Sequence, residues 1–127
     1  MGKMQRNKGA QAERELFALL TDGLGLNITR NLVQTRAGGA DTIDIPGVTL
    51  EVKRHEVLQI GSWWEQTLAQ AGDRIPLLAY RQSRQPWRFV IDLYDLCPDY
   101  FQSRGLDVTH CATLSIQSVI VFLRQKV

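Results

Sequence analysis

The chain has 127 residues, of which 44% are hydrophobic and 22% are charged, so its composition is typical of one globular domain and excludes a disordered chain. It contains no apolar run of about 18 residues and no apolar signal core near Met1, so we expect a cytoplasmic protein without membrane contact. The net charge of +2 excludes little. The two cysteines, Cys97 and Cys111, lack the spacing of a zinc or redox motif, so we expect reduced thiols.

Apolar periodicity and turn residues divide the chain into short elements. A helix is predicted where apolar residues recur every three or four positions, and a strand where apolar and β-branched residues cluster between turns. In chain order the predicted elements are a helix over residues 9–24, a strand over 27–35, a glycine-bearing loop over 36–40, strands over 42–45 and 48–53, a helix over 61–72, and strands over 75–80 and 87–93. The order of helix, three strands, helix and two strands predicts an α/β fold, with a mixed sheet flanked by helices.

The C-terminal part of the chain is less regular. Residues 95–103 fit a helix interrupted by Pro98, and residues 118–123 form a short apolar run that suits either a helix or a strand. We therefore expect a single domain over residues 1–127, with its core at about 8–93 and a C-terminal extension at about 94–127.

A chemical pattern appears on the two β-rich runs that flank Pro46-Gly47, a pair that predicts a hairpin. Glu51 and Lys53 project from the same face of the second strand, about 7 Å apart along the chain. A carboxylate on the neighbouring strand would lie about 5 Å away. Two carboxylates this close raise each other's pKa unless a cation lies between them. Since Mg²⁺ prefers carboxylate oxygens, the pattern predicts a Mg²⁺ site, with Lys53 placed to hold a phosphate oxygen.

The identity of the partner carboxylate depends on the register of the hairpin. A tight two-residue turn at Pro46-Gly47 brings Asp44 onto the face of Glu51 and Lys53. A turn one residue longer, or a bulge, brings Asp41 there instead. The residues alone leave both alternatives open.

Four short motifs resemble those of a known nuclease group. Residues 8–16 (KGAQAEREL) resemble the KGxxxER opening helix of archaeal-type Holliday junction resolvases and of the phage and prophage nucleases related to them. Residues 38–41 (GGAD), 45–47 (IPG) and 50–54 (LEVKR) resemble the stretch that follows in that group. The similarity continues at residues 64–66, 75–81 and 86–87, so that it spans roughly residues 3–93, about three-quarters of the chain. It implies a PD-(D/E)xK nuclease with a restriction-endonuclease-like core, which is an endonuclease that cleaves DNA with Mg²⁺, for which Mn²⁺ substitutes.

The resemblance implies which residues hold the metal. Asp41 matches the aspartate of the motif, so Asp41 and Glu51 become the main ligands, with the Val52 carbonyl oxygen as a third. Asp44 is the alternative to Asp41. Glu13, on the opening helix, would help to hold a second metal or its water. Helical spacing places Glu13 on the inward side of that helix.

The resemblance also makes Lys53 the catalytic lysine and places Gln66 at the border of the site. The implied catalytic residues are thus Glu13, Asp41, Glu51, Lys53 and Gln66. Basic residues that lie just outside the motifs would contact DNA phosphates if the fold gathers them on one surface. These residues are Lys3, Arg6, Lys8, Arg36 and Arg54.

A junction resolvase works as a symmetric dimer, because two coordinated nicks need two active sites related by a two-fold axis. The resemblance therefore implies a homodimer that acts on branched DNA in recombination, in a bacterium or a phage-infected host cell. The three tryptophans and the apolar residues 119–123 offer material for a self-complementary interface. The C-terminal extension would contact the second copy or the DNA.

Three other interpretations stay open. A flap, replication-fork or restriction-like nuclease would use the same active site on another DNA. A nuclease fold without catalysis would only bind DNA. A structural or assembly protein would bind neither DNA nor metal. Cleavage assays with and without Mg²⁺ distinguish these classes.

Overall fold

The computed structural model describes the backbone of residues 2–25 and 42–126, and the side chains of residues 11–25 and 45–126. The strand predicted over residues 27–35 and the glycine-bearing loop lie outside the described residues, as do Arg36 and Asp41. In chain order the elements are helix α1 (Gly2–Leu24), strands β1 (Thr42–Ile45) and β2 (Val48–Arg54), helix α2 (Ile60–Ala71), strands β3 (Ile75–Arg81) and β4 (Arg88–Asp92), the short helix α3 (Leu93–Leu96), strand β5 (Cys111–Leu114) and helix α4 (Ile116–Lys126).

The described strands form one five-stranded sheet in the order β1-β2-β3-β4-β5. β2 and β3 are parallel, whereas the other neighbours are antiparallel. The parallel pair is possible because α2 carries the chain back across the sheet between the two strands. The predicted mixed α/β sheet with flanking helices is therefore confirmed.

The hairpin between β1 and β2 turns at Pro46 and Gly47, and Ile45 pairs directly with Val48. Proline fixes its own φ, and Gly47 takes a φ of 76°, a conformation that costs a residue with a Cβ considerable energy. The turn is thus the tight two-residue form, which sets the register of everything that follows on β2.

The two faces of the sheet are covered by different helices. On one face, α1 and α4 pack through Leu16, Leu20 and Leu123 against Leu50 and Val52 of β2 and their neighbours on β3 and β4. On the other face, α2 packs through two tryptophans, and the second core cluster consists of Trp63, Trp64, Leu78 and Val90. Successive residues of β2 therefore enter two different environments.

Some boundaries differ from those predicted. Helix α1 begins at Gly2 and not near residue 9, because residues 2–8 include good helix formers and Gly9 only weakens a helix without ending it. The interrupted helix predicted over residues 95–103 is wrong: α3 spans only Leu93–Leu96, with its first turn capped by Asp92, whose side chain accepts a hydrogen bond from the Tyr94 amide.

The segment after Tyr94 belongs to the same core. Strand β5 was not predicted, since its residues are only partly buried and show no clean alternation. The apolar run that suited a helix or a strand is helical, because Val119, Phe122 and Leu123 are spaced to face inward together. This segment extends the sheet beyond β4 and covers its face beside α1.

Most of the residues that were expected to form a dimer interface are buried within the monomer, whereas Val121 is 56% exposed. Trp63, Trp64 and Trp87 are at most 6% exposed, and Val119 and Leu123 are fully buried. Their apolar surface is therefore used in the core and gives no support to a self-complementary interface.

Both cysteines are free thiols, as expected. Burial, together with the negative charge of Asp92, raises the pKa of Cys111 to about 12, which keeps this thiol protonated and unreactive at neutral pH.

Among the described helices, none is long and apolar enough to cross a membrane.

Gly23 provides a test of how α1 packs on α4. A Cβ at this position would lie 2.5 Å from Cδ1 and 2.9 Å from Cγ1 of Ile120, whereas a Cβ at Gly61 of α2 would meet nothing within 4 Å. We expect Gly23→Ala to lower the free energy of unfolding by about 1–2 kcal/mol through overpacking. The matched Gly61→Ala should raise it by about 0.5–1 kcal/mol through helix propensity. Urea unfolding measures both, and a stabilising Gly23→Ala would contradict the close approach of the two helices.

Candidate active site

The centre of the candidate site lies on the C-terminal half of β2. Glu51 is fully buried and Lys53 is half-buried. Val52, between them, packs into the core beneath α1. Because strand residues alternate, Glu51 and Lys53 project to the opposite face, where α2 covers the sheet. The predicted common face of this pair is confirmed.

Register across the sheet agrees with this assignment. Glu51 pairs with Leu78 of β3, which packs against Trp63 and Trp64 of α2. An ionised carboxylate at this depth is costly unless opposite charge or hydrogen bonds compensate it. Burial therefore makes Glu51 a candidate for binding a cation.

Strand β1 brings its own residues beside Glu51. In the observed register Thr42 pairs with Glu51, and Asp44 pairs with Thr49. This is the tight-turn register, in which the sequence analysis expects Asp44 to project from the same face of the sheet as Glu51 and Lys53. Asp41 lies outside the described residues, and so does the side chain of Asp44. The choice between the two aspartates stays a prediction.

Glu13 is 5% exposed and lies on the inward side of α1, as its helical spacing indicates. Glu15, on the outward side, accepts a 2.8 Å hydrogen bond from Nη1 of Arg81 at the end of β3. Helix α1 packs on the face of Leu50 and Val52 through its neighbouring apolar residues Ala12, Leu16 and Leu20. The role of Glu13 at a second metal stays a prediction.

Gln66 lies on α2, and its side chain is exposed. The residues through which α2 is buried are Trp63, Trp64, Thr67 and Ala71. Gln66 is thus on the solvent side of the helix that covers Glu51, and a role at the border of the site stays a prediction.

The donor chemistry of the site fits a hard divalent ion. Glu51 and Glu13 are the buried glutamates of the described residues, and Cys111 lies beside Asp92 at the end of β4 opposite to Arg88. Among the residues with described side chains, no group of three or more acidic, histidine or cysteine residues is placed to hold a metal. Oxygen donors of this kind suit Mg²⁺, which keeps several water ligands and needs only one or two carboxylates.

Arg54 holds the rim of the site. Its Nη1 donates to Oε1 of Glu56 at 2.7 Å, and its Nη2 donates to Oγ of Ser83. The Ser83 and Arg54 hydrogen bonds lower the pKa of Glu56, which keeps this carboxylate charged. The other basic residues expected at the DNA, Lys3, Arg6, Lys8 and Arg36, lie outside the described side chains.

Two residues that the sequence analysis did not assign lie in one row with Lys53 across the sheet. Tyr80 of β3 pairs with Lys53 of β2, and Arg88 of β4 pairs with Tyr80. The ring centroids of His55 and Trp63 are 5.2 Å apart, and those of Trp63 and Tyr80 are 6.3 Å apart. The sequence predicted strands β2, β3 and β4 but not the order in which they pair. The row that these three strands form was therefore not predictable.

Comparisons with known proteins identify the family of this chain and a solved structure of similar fold. The family model described as "Phage putative PDDEXK endonuclease" matches residues 4–121. The solved structure of Archaeoglobus fulgidus Hjc, a Holliday junction resolvase from an archaeal hyperthermophile, is similar in fold, with a TM-score of 0.52 and 19% sequence identity over 90% of this chain and 96% of that one. This likeness confirms the restriction-endonuclease-like fold. No curated protein matches the sequence significantly.

The metal site is tested by thermal unfolding with and without Mg²⁺. If Glu51 is a ligand, saturating Mg²⁺ should stabilise the native protein, by about 2.7 kcal/mol at a hundred times Kd. Glu51→Gln keeps the shape of the side chain but removes its charge, so we expect the Mg²⁺-dependent gain to vanish. The control is Glu65→Gln, at an exposed position on α2, which should keep the full gain. Equal Mg²⁺ responses in both variants would exclude Glu51 as a ligand.

Proposed function

Because the chain belongs to the phage PD-(D/E)xK endonuclease family, we propose that it is a Mg²⁺-dependent endonuclease that hydrolyses phosphodiester bonds in branched DNA. The observation that carries the proposal is the pair on β2. A buried carboxylate and a half-buried ammonium group project together from one strand, two residues apart. A metal-dependent hydrolase of phosphodiesters can use such an acid to bind the ion and such a cation to hold the phosphate.

In this mechanism Glu51 and Asp41 would be the metal ligands, with the Val52 carbonyl oxygen as a third donor, and Glu13 would help to hold a second metal or its water. Asp44 would take the place of Asp41 if the tight register of the β1–β2 hairpin determines which aspartate reaches the metal. The bound ion supplies Lewis-acid activation of the phosphoryl oxygen and of water.

Lys53 has two tasks in the reaction. Its Nζ donates hydrogen bonds to a nonbridging phosphate oxygen and so orients the phosphodiester. As negative charge builds on phosphorus, the same ammonium group balances it, and such preorganised charge is most effective where water is largely excluded. The partial burial of Lys53 beside Tyr80 provides this environment.

The proposed preference for branched DNA rests on the similarity of the fold to that of a known resolvase. The similar solved structure is that of a Holliday junction resolvase, and the shared fold supports the same class of substrate here. Symmetric cleavage of a four-way junction requires a homodimer, so we propose that two copies assemble on the DNA. Such an enzyme would act in recombination in the cytoplasm of the bacterial or phage-infected host cell.

Contacts to the DNA backbone would hold the substrate in place. The proposed phosphate ligands are Lys3, Arg6, Lys8, Arg36 and Arg54. Arg54 is the member of this set with described contacts, and Glu56 and Ser83 fix its guanidinium at the rim of the site. Phosphate contacts carry no sequence information, so the enzyme would recognise the shape of its DNA.

The catalytic role of Lys53 is tested by cleavage of four-way junction, flap, duplex and single-stranded DNA in Mg²⁺. We expect the wild-type protein to cut the junction fastest. Lys53→Ala should lower turnover of every substrate by about 10²–10³-fold, because the transition state loses an electrostatic ligand. The control is Lys126→Ala, which changes an exposed lysine at the end of α4 and should keep normal turnover.

The outcomes separate the alternatives. Near-normal cleavage by Lys53→Ala would remove this lysine from the mechanism. A wild-type protein that binds DNA but cuts none of the four substrates with Mg²⁺ or Mn²⁺ would be a binding module. Fastest cleavage of flaps or plain duplex would retain the nuclease and reject the proposed preference for junctions.

A further inference from the structure

A row of three residues crosses the sheet at the level of Lys53. Lys53 on β2 pairs with Tyr80 on β3, and Tyr80 pairs with Arg88 on β4. Residues that pair directly across neighbouring strands project to the same face of a sheet. The row therefore lies on the face of the sheet that α2 covers. On the same face, two residues away along β3 and β4, Leu78 and Val90 pack against the tryptophans of α2.

Arg88 is exposed at the outer end of this row. Within the part of the chain that the structure describes, no hydrogen bond or ion pair engages its guanidinium. Some other arginines have fixed partners: Arg81 binds Glu15, and Arg104 donates two hydrogen bonds to Asp95. Arg88 thus keeps its five N–H donors available for a ligand.

The spacing of the row suits a DNA strand that runs across it. Neighbouring strands lie about 4.8 Å apart, so the Cα atoms of Lys53 and Arg88 are separated by about 10 Å. The phenol ring of Tyr80 lies between the two cations, and its own position is fixed by Trp63, whose ring centroid is 6.3 Å away. A chain with one negative charge per nucleotide can be bound at both ends of such a row.

The β3–β4 connection beside the row is held firmly. Nε2 of Gln82 donates to the Glu56 carbonyl at 2.8 Å, and Nε of Arg81 donates to the Gln85 carbonyl at 3.0 Å. The hydrogen bond from Arg54 to Ser83 ties the same connection to the end of β2. Arg88 therefore begins its strand from a fixed position relative to Lys53.

We propose that Arg88 binds a backbone phosphate of the DNA strand next to the one held by Lys53, so that the strand leaves the active site across β3 and β4 on the α2 face. This inference rests on the proposed nuclease function and adds the path of the substrate. Its ligand is the phosphodiester backbone, which a guanidinium binds through two parallel hydrogen bonds. Arg88 is a positioning residue and takes no part in the chemical step.

The test is DNA binding by the full chain without divalent metal, measured by fluorescence anisotropy with a labelled four-way junction between about 50 and 200 mM salt. We expect Arg88→Gln to weaken binding about 10-fold and to lower the magnitude of the log–log salt slope by about one, equally for junctions of different sequence. Arg88→Lys should keep the slope, because the charge remains. The control is Arg124→Gln, on α4, whose guanidinium donates to the Gly23 carbonyl at the far end of α1.

The results separate this inference from the function on which it rests. If Arg88→Gln matches Arg124→Gln in affinity and slope while the wild-type protein binds the junction, the path across β4 is wrong and the nuclease proposal stands. A change in sequence preference with an unchanged slope would also overturn the phosphate contact. If the wild-type protein itself shows no salt-dependent DNA binding, both proposals fail together. Thermal melts of the two Arg88 variants should coincide with that of the wild type, because Arg88 is exposed.

Discussion

The alternation of β2 between two buried faces is the constraint on which the site depends. Leu50 and Val52 are held in the core beneath α1 and α4, so Glu51 and Lys53 must project beneath α2. A slip of one residue would place two charged side chains in the apolar core and expose two apolar ones, which makes the register strongly specified. The tight turn at Gly47 fixes the same register from the β1 side. Geometry that is enforced by packing in this way would also preorganise the proposed catalytic pair.

The second helical layer gives the pair its environment. Trp63 and Trp64 cover Leu78 and Val90, and this cluster shields the carboxylate of Glu51 from solvent. Electrostatic interactions are stronger in such a setting than in water, which favours cation binding by Glu51 and charge stabilisation by Lys53. The same layer explains why the tryptophans are unavailable for a dimer interface. Stability and chemistry thus use one group of residues.

Local signals in the sequence were sufficient for much of the fold and for the placement of Glu51, Lys53 and Glu13 within it. The Pro46-Gly47 turn and the alternation of β2 predicted the hairpin and the common face of Glu51 and Lys53, and helical spacing predicted the burial of Glu13. Features that depend on contacts between distant segments were not predictable. Strand β5 is defined by its pairing with β4, and the row through Arg88 by the order of three strands.

The most direct measurement is an anomalous diffraction map of the protein crystallised with Mn²⁺ and DNA. We expect an ion within about 2.2 Å of a carboxylate oxygen of Glu51, on the α2 face of the sheet, with a phosphate oxygen among its other ligands. The same map would show whether Asp41 or Asp44 completes the site. An ion bound elsewhere on the protein, with the Glu51 carboxylate making no metal contact in a DNA-bound crystal, would contradict the assignment of β2 as the catalytic strand.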